Sequence, residues 1–251
     1  MEINLLENKT IYFIGCSYTW GAGLEMEYYH NNHNWDTEKI QKENDMSINR
    51  LENGIYEAAE YRRKNRFGNL VAKHFDINHE VLNMSNGGNN KQIFEKFIDC
   101  PLSVPKIVVI QLTCFSRSIP KYQKNNDWVK LSDEEIYNHS KNQIHQFTKW
   151  LDEEKEKGRE LPKVYFLAWH KEFGNILRKD FPNKFIPIHI DGVDYDSFER
   201  TCADFNNHNI KHTHKLRICD VINGIDDTHL SSIGHKIVAD SIIKKLKNEY
   251  I

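Results

Sequence analysis

The sequence predicts an α/β protein whose mostly parallel sheet is covered by helices. Short apolar runs alternate with segments of helical periodicity, which favours right-handed β–α–β crossovers. One run, residues 106–112, is apolar almost throughout, as is typical of a central parallel strand covered on both faces. The chain has 251 residues, 39% of them hydrophobic, so we expect one domain over residues 1–251 with a sizeable core.

Five strands are predicted. Thr10 to Gly15 is a short β-branched and aromatic run closed by glycine. The other predicted strands cover residues 80–84, 106–112, 164–168 and 185–188. Pro187 favours an edge position for the last of them, because proline donates no ladder hydrogen bond.

Helical spacing of apolar residues predicts the connecting helices. These helices cover residues 67–75, 91–100, 132–158 and 233–250. Ser132 and Glu135 have the spacing of a capping box, and Gly158 is well placed to end the same helix.

Residues 25–65 do not fit this alternation. The segment is polar, charged and aromatic, and its length of about forty residues far exceeds the usual loop length of about five. It directly follows the first strand and turn. Two interpretations stay open: a lid that walls the substrate site, or a peripheral helical insertion such as an oligomer contact.

Composition excludes several classes of function. A formal net charge of -2 gives no general attraction to nucleic acid or to an anionic membrane. No apolar stretch of about 18 residues predicts a transmembrane helix, and residues 1–9 lack the pattern of a secretory signal. The five cysteines are scattered and odd in number, which indicates reduced thiols and a cytoplasmic location.

No metal or other cofactor is expected. His208, His212 and His214 have spacing that resembles a metal site, but no thiol or carboxylate partner is evident near them. We therefore interpret these histidines as part of a solvated loop or helix face.

Two short segments at opposite ends of the chain indicate hydrolytic chemistry. Ser17 follows the first strand at a turn, where its hydroxyl is lifted from the sheet and helix amides point at the site. His229 can serve as the base, with Asp226 fixing its tautomer. Asp227 is an adjacent alternative to Asp226. Ser17 as an ordinary helix N-cap is the other interpretation.

The run Asn83-Met84-Ser85-Asn86-Gly87-Gly88-Asn89-Asn90 joins the second strand to a helix. Its two glycines let backbone amides approach a ligand, where they can stabilise an oxyanion. A tight turn without catalytic role has the same composition.

Substrate contacts are predicted at four positions: Trp20, Arg117, Trp169 and His170. Arg117 suits a forked contact with an anionic group, although a surface ion pair is equally consistent with the sequence. Trp169 and His170 follow the fourth strand, at the sheet edge where ligands of such folds bind.

These blocks resemble the SGNH (GDSL-type) hydrolases. Gly15-Cys16-Ser17 matches the family's first block, Asn83 and Gly88 match the second, and Asp226 and His229 match the Asp-x-x-His block. The resemblance implies a three-layer α/β/α sandwich with a flavodoxin-like, five-stranded parallel sheet. It also implies Ser17 as nucleophile, His229 as base, Asp226 as its orienter, and the amides of Ser17 and Gly88 as oxyanion donors.

Two departures from the family pattern stand out. Cys16 replaces the usual Asp, and Leu112-Thr113-Cys114-Phe115 stands where the third block should present Gly-x-Asn-Asp. The side-chain amide donor of the oxyanion hole is therefore missing from its expected place. Four residues stay open as substitutes: Asn86, Asn89, Thr113 and Ser116.

We expect a serine esterase or deacylase that acts on a small-molecule or glycan acyl ester. An acyltransferase follows if a sugar or another hydroxyl intercepts the acyl-enzyme in place of water. A third hypothesis, motivated by the two departures, is a non-catalytic ligand-binding module on a degenerate hydrolase scaffold.

Overall fold

A four-stranded parallel sheet is the centre of the molecule. The structure is a computed structural model that describes residues 9–16, 19, 21–33, 56–83, 89–100, 105–113, 132–190, 192–197 and 230–250. The sheet contains β1 (Thr10–Gly15), β2 (Asn78–Asn83), β3 (Ile107–Leu112) and β4 (Lys163–Ala168) in the order β2-β1-β3-β4. These bounds confirm the first four predicted strands to within two residues.

The two inner strands are apolar on both faces because helices cover both faces. All six residues of β3 are buried, and so are Ile11 to Gly15 of β1. Register aligns Ile14 with Ile110, and Ile110 with Phe166. The carboxyl ends of the strands therefore meet at one edge of the sheet.

Helices form a layer on each side of the sheet. On one side, α3 (Phe67–Phe75) and α7 (Ser232–Tyr250) pack on the side chains of Ile11, Phe13 and Val109. On the other, α4 (Asn90–Asp99), α5 (Asp133–Glu156) and α6 (Lys171–Asp180) pack on Tyr12, Ile14 and Ile110. This arrangement confirms the predicted α/β fold with helices over a parallel sheet.

The predicted fifth strand is present only as a single bridge. Phe185 pairs in parallel with Phe166, and the amide of Ile186 donates to the Phe166 carbonyl at 2.9 Å. Pro187 follows, and from β5 (Ile188–Ile190) the chain pairs antiparallel with β6 (Val193–Tyr195) instead. Within the described ranges, the main sheet thus has four strands.

Two helices lie at the two ends of the insertion predicted at residues 25–65. They are α1 (Ala22–His33) and α2 (Tyr56–Asn65), which pack against each other. Tyr28 and Tyr61 are in contact between them, with ring centroids 5.6 Å apart. Helix α2 also contacts α3 and α7. Residues 34–55, which include most of the insertion, lie outside the described residues.

Candidate active site

The predicted nucleophile, base and orienter lie outside the described residues. The same holds for other predicted site residues: Trp20, Asn86, Gly88, Ser116 and Arg117. The structure does describe the residues on either side of them. Cys16 directly precedes Ser17, and Leu230 directly follows His229; both are fully buried in the same hydrophobic cluster.

Gln111 holds the turn that follows β1. Its side chain is 1% exposed although it lies in an otherwise apolar strand. Its Oε1 accepts from the Thr19 hydroxyl at 3.1 Å, from the Cys16 thiol at 3.2 Å and from the Cys16 amide at 3.4 Å. Its Nε2 donates to the Leu112 carbonyl at 2.9 Å. Every polar atom of this buried amide therefore has a partner, as burial requires.

Gly15 is required where β1 reaches this turn. A Cβ at Gly15 would overlap the Thr19 hydroxyl and lie 2.9 Å from Gln111 Oε1. The glycine therefore lets Thr19 and Gln111 meet over the end of the strand. Sequence reasoning missed Gln111; the available signal was a single amide near the end of a run of apolar residues.

Two of the candidate oxyanion donors can be located. Asn89 is the N-cap of α4: its side chain accepts from the Gln92 amide at 2.9 Å within a capping box. Thr113 directly follows β3 and is fully buried. Its amide donates to Asn90 Oδ1 at 2.8 Å, but its hydroxyl has no hydrogen-bond partner within the described part of the chain.

Trp169 and His170 occupy the end of β4. Trp169 is 8% exposed and belongs to the core cluster on the α3–α7 side, and its amide donates to the Leu112 carbonyl at 3.2 Å. His170 is the N-cap residue of α6, with Nδ1 3.2 Å from Glu172 Oε2. Both residues lie at the predicted edge, with Trp169 turned into the core.

The start of α7 completes the site region. Ser231 caps the helix by accepting from the Gly234 amide at 3.2 Å. The Glu27 carboxylate of α1 accepts from the Ser232 amide at 2.7 Å and from the Ser232 hydroxyl at 2.6 Å. His235 is fully buried, stacks on Phe67 and accepts from the Phe67 amide at 3.3 Å. His235 thus packs the start of α7 against α3.

A cavity of about 270 Å³ lies on the flank of the molecule, away from the strand ends. Its lining includes His189, Asp194 and Lys244. Lys244 is twelve residues along α7 from Ser232, which is about 18 Å of helix. Because His189 Nδ1 lies 2.7 Å from Asp194 Oδ1, the polar groups of this cavity already bind one another.

The described ranges contain neither a cluster of potential metal ligands nor a helix that could cross a membrane. No group of three or more His, Cys, Asp or Glu side chains there is placed to hold a metal ion. In the same part of the chain, no helix combines the length and apolar character needed to span a bilayer. His208, His212 and His214 lie outside that part.

Comparison with known proteins supports the fold. The sequence matches no protein-family model and no curated protein. The chain is similar in structure to an α/β-hydrolase enzyme from the metagenome of Lake Arreo, Spain, with a TM-score of 0.51 and 10% identity over 95% of each chain. That likeness shows a shared fold.

Two other solved structures are similar to a lesser degree. One is an acetyl xylan esterase, with a TM-score of 0.44 and 14% identity over 94% of this chain and 98% of that one. The other is a variant of an acetyl-xylooligosaccharide esterase from Geobacillus, with a TM-score of 0.48 and 13% identity over 97% of this chain and 96% of that one.

Proposed function

We propose that this protein is an SGNH-type serine hydrolase that cleaves a small-molecule or glycan acyl ester. Ser17 is the nucleophile, His229 the general base, and Asp226 the residue that orients the imidazole. One observation carries the proposal: α1, which begins five residues after Ser17, is hydrogen-bonded through Glu27 to Ser232, three residues after His229.

Chain length limits how far the two motifs can be from this contact. Consecutive Cα atoms are 3.8 Å apart, so His229 lies within about 11 Å of Ser232. At the other motif, Cys16 and Thr19 flank Ser17 and are both bound to Gln111 at the end of β3. The contacts of these described neighbours support a site at the carboxyl edge, where open α/β sheets bind ligands.

The strand order supports the flavodoxin-like sheet that this family implies. The order β2-β1-β3-β4 equals the first four positions of the 2-1-3-4-5 arrangement. The single bridge from Phe185 to Phe166 of β4 lies on the side of the sheet where that arrangement has its fifth strand.

The reaction follows from the roles assigned. Ser17 Oγ attacks the ester carbonyl as His229 takes the hydroxyl proton, and the C–O bond to the alcohol breaks as His229 returns that proton to the leaving oxygen. Water, activated by His229, then attacks the acyl-enzyme and releases the acid and free Ser17. The amides of Ser17 and Gly88 stabilise the oxyanion in both steps.

Thr113 supplies the third oxyanion donor in this proposal. The family's asparagine is replaced here, and Thr113 lies at the end of the central strand with a buried hydroxyl that has no partner within the described residues. A buried hydroxyl without a partner costs free energy, so its retention favours a bond made only when substrate is present. Asn89, by contrast, already caps α4.

Gln111 braces the turn in which Cys16 replaces the family's usual Asp. The Cys16 thiol donates to Gln111 Oε1, and Thr19 donates to the same oxygen. The turn thus retains a side-chain hydrogen-bond network although its carboxylate is lost.

The test is hydrolysis of chromogenic acyl esters, together with labelling by a fluorophosphonate probe. Ser17→Ala should abolish both, and His229→Ala should lower turnover by about 10⁴-fold or more. Ser132→Ala, an exposed serine at the start of α5, is the matched control and should label normally. Unchanged turnover in Ser17→Ala would exclude the mechanism.

Two further outcomes separate the alternatives. Formation of an acylated sugar in the presence of sugar acceptors identifies an acyltransferase, whereas free acid alone identifies a hydrolase. Ligand binding without any labelling of Ser17 identifies a non-catalytic module.

A further inference from the structure

The helix pair α1–α2 is joined to the start of α7 by one partly buried carboxylate, that of Glu27. Glu27 accepts two hydrogen bonds from Ser232, one from its amide and one from its hydroxyl, at 2.7 and 2.6 Å. The Tyr61 hydroxyl of α2 donates to Glu27 Oε1 at 3.1 Å. We call Glu27, Tyr61 and Ser232 the Glu27 clamp.

The clamp satisfies a need of the helix itself. The first amides of a helix have no partner inside the helix, and its N-terminus carries partial positive charge. Ser231 satisfies the Gly234 amide, and Glu27 satisfies the Ser232 amide from outside the helix. Both hydrogen bonds from Ser232 are short and charge-assisted, which makes them strong contacts.

Tyr61 keeps the carboxylate in place. Burial, together with the neighbouring Glu27 charge, raises the pKa of Tyr61 to about 12. Tyr61 therefore remains a neutral donor at physiological pH, and Glu27 is held from α2 as well as from α7. The clamp connects residues 205 positions apart in the sequence.

We propose that the Glu27 clamp immobilises the segment before α7 and that Glu27 is thereby a positioning residue for His229. The inference rests on the proposed function for its catalytic part. Leu230 is fully buried directly after His229, and Ser232 is fixed two residues further on. The clamp therefore fixes Ser232, which is three residues after His229 in the sequence.

The inference also gives the insertion a role. Its two terminal helices, α1 and α2, form a fixed support for the segment that carries the base. The insertion then contributes to catalysis through Glu27 and Tyr61, neither of which touches substrate in this proposal.

A second Tyr–Glu pair on the same two helices provides a matched control. The Tyr28 hydroxyl of α1 donates to Glu57 Oε2 of α2 at 3.0 Å, and this pair is exposed. It joins α1 to α2 as the clamp does, but Glu57 makes no hydrogen bond to α7 among the described contacts. Glu57→Gln therefore reports the cost of loosening the helix pair alone.

The first experiment is hydrogen exchange over residues 226–236, and it does not depend on activity. Glu27→Ala should speed exchange in this segment, and Glu27→Gln, which keeps one acceptor for the Ser232 amide, should have a smaller effect. Glu57→Gln should exchange as the wild type does. Equal exchange in all four proteins would overturn the clamp.

The second experiment is steady-state kinetics with the chromogenic esters. Glu27→Ala should lower kcat about tenfold to hundredfold, because a displacement of about 1 Å can cost a hundredfold, while KM changes little. Tm should also fall, because the Ser232 amide and the Tyr61 hydroxyl lose their acceptor, and Glu27→Gln, which keeps one acceptor, should lower Tm less. Ser232→Ala should lower kcat in the same way, and the double variant should lose less than the product of the two effects. Wild-type kcat in Glu27→Ala would overturn the positioning role.

Failure of the proposed function has a different signature. Wild-type protein would then show no Ser17 labelling and no turnover, while hydrogen exchange would still decide whether Glu27 immobilises the segment. Failure of the clamp appears as full labelling and unchanged exchange in every variant.

Discussion

Gln111 and Thr113 are two residues apart in the chain but differ in how their buried polar groups are satisfied. Both are at most 1% exposed at the end of the central strand. The Gln111 amide has partners for both its oxygen and its nitrogen, whereas the Thr113 hydroxyl has none within the described residues. The first arrangement favours a fixed Gln111 side chain, and the second concerns the hydroxyl that the proposed function assigns to the oxyanion.

Gln111→Met should therefore destabilise the protein and slow its reaction. Methionine has a similar volume but removes the acceptor of the Cys16 amide and the Thr19 hydroxyl. Leaving buried donors unsatisfied costs about 1–3 kcal/mol. Denaturant unfolding measures this loss, and fluorophosphonate labelling of Ser17 measures the misplacement of the turn. Gln146→Met, at an exposed position on α5, is the control. A Gln111 variant as stable as the wild type would contradict the role assigned to this amide.

Thr113→Val should separate stability from activity. Valine keeps the shape of threonine and removes a buried hydroxyl, so unfolding free energy should stay constant or rise. If the hydroxyl binds the oxyanion, kcat should fall by about 10² to 10³ while KM changes little. Thr113→Ser, which keeps the hydroxyl, should retain most of the activity. Equal kcat in Thr113→Val and the wild type would remove Thr113 from the oxyanion hole.

At the scale of helices and strands, the hydrogen bonds that cap helix N-termini differ in whether the sequence predicts them. Helices α4 and α5 each have a capping box between residues three apart, Asn89 with Gln92 and Ser132 with Glu135. The α5 box was predicted because its residues are local and the pattern is specific. The cap that Glu27 adds to α7 joins residues 205 positions apart, so local pattern could not reveal it.

The same reasoning explains the rest of the comparison between sequence and structure. Apolar periodicity predicted β1, β3 and the last helix because burial sets that periodicity directly. Periodicity does not show which partner a strand takes. Phe185 pairs with β4 through a single bridge, and the chain that follows it pairs in the β5–β6 hairpin instead. Likewise, the partners of Gln111 were hidden, because an isolated amide in a strand does not show which atoms it will meet.

Ser132→Ala should lower the stability of the protein through α5 alone. The Ser132 hydroxyl accepts from the Glu135 amide at 3.3 Å, and loss of such an N-cap costs about 1 kcal/mol. Chemical unfolding should show a lower midpoint with an unchanged slope, and Ser17 labelling should remain normal. Ser132→Asp, which retains a cap acceptor, should restore the midpoint. A Ser132→Ala variant with wild-type stability would show that the cap contributes nothing here.

At the scale of the whole molecule, α7 is held at both ends by carboxylates. At its start, Glu27 binds Ser232. At its end, Glu249 forms an ion pair with Lys163 and accepts from the Tyr165 hydroxyl at 2.7 Å, both on β4. The last helix is thus attached to the first helix at one edge of the sheet and to the outer strand β4 near the other.

Glu249 and His79 contribute to the pH dependence of stability, because folding lowers the pKa of each. Burial, with the nearby Arg66 charge, lowers the pKa of His79 below 6.5. Burial alone would raise the pKa of Glu249, but hydrogen bonds from Lys163, Tyr165 and Lys245 lower it below 4.5. For both groups the unfolded chain binds protons more readily than the folded protein. The stability that each group contributes is therefore complete above its pKa in the unfolded chain, and it is lost as the pH falls through its pKa in the folded protein.

We expect Tm to fall in two steps on acidification, the first below about pH 6.5 and the second below about pH 4.5. His79→Gln should flatten the first step, because glutamine takes up no proton in either state. Glu249→Gln should lower Tm at neutral pH and flatten the second step, since the attachment of α7 to Lys163 is then lost at every pH. Gln146→Met, at an exposed position on α5, changes no titratable group and should leave both steps unchanged. Calorimetry from pH 8 to pH 3 measures all four proteins, and a Tm that rises on acidification would contradict the direction assigned to both groups.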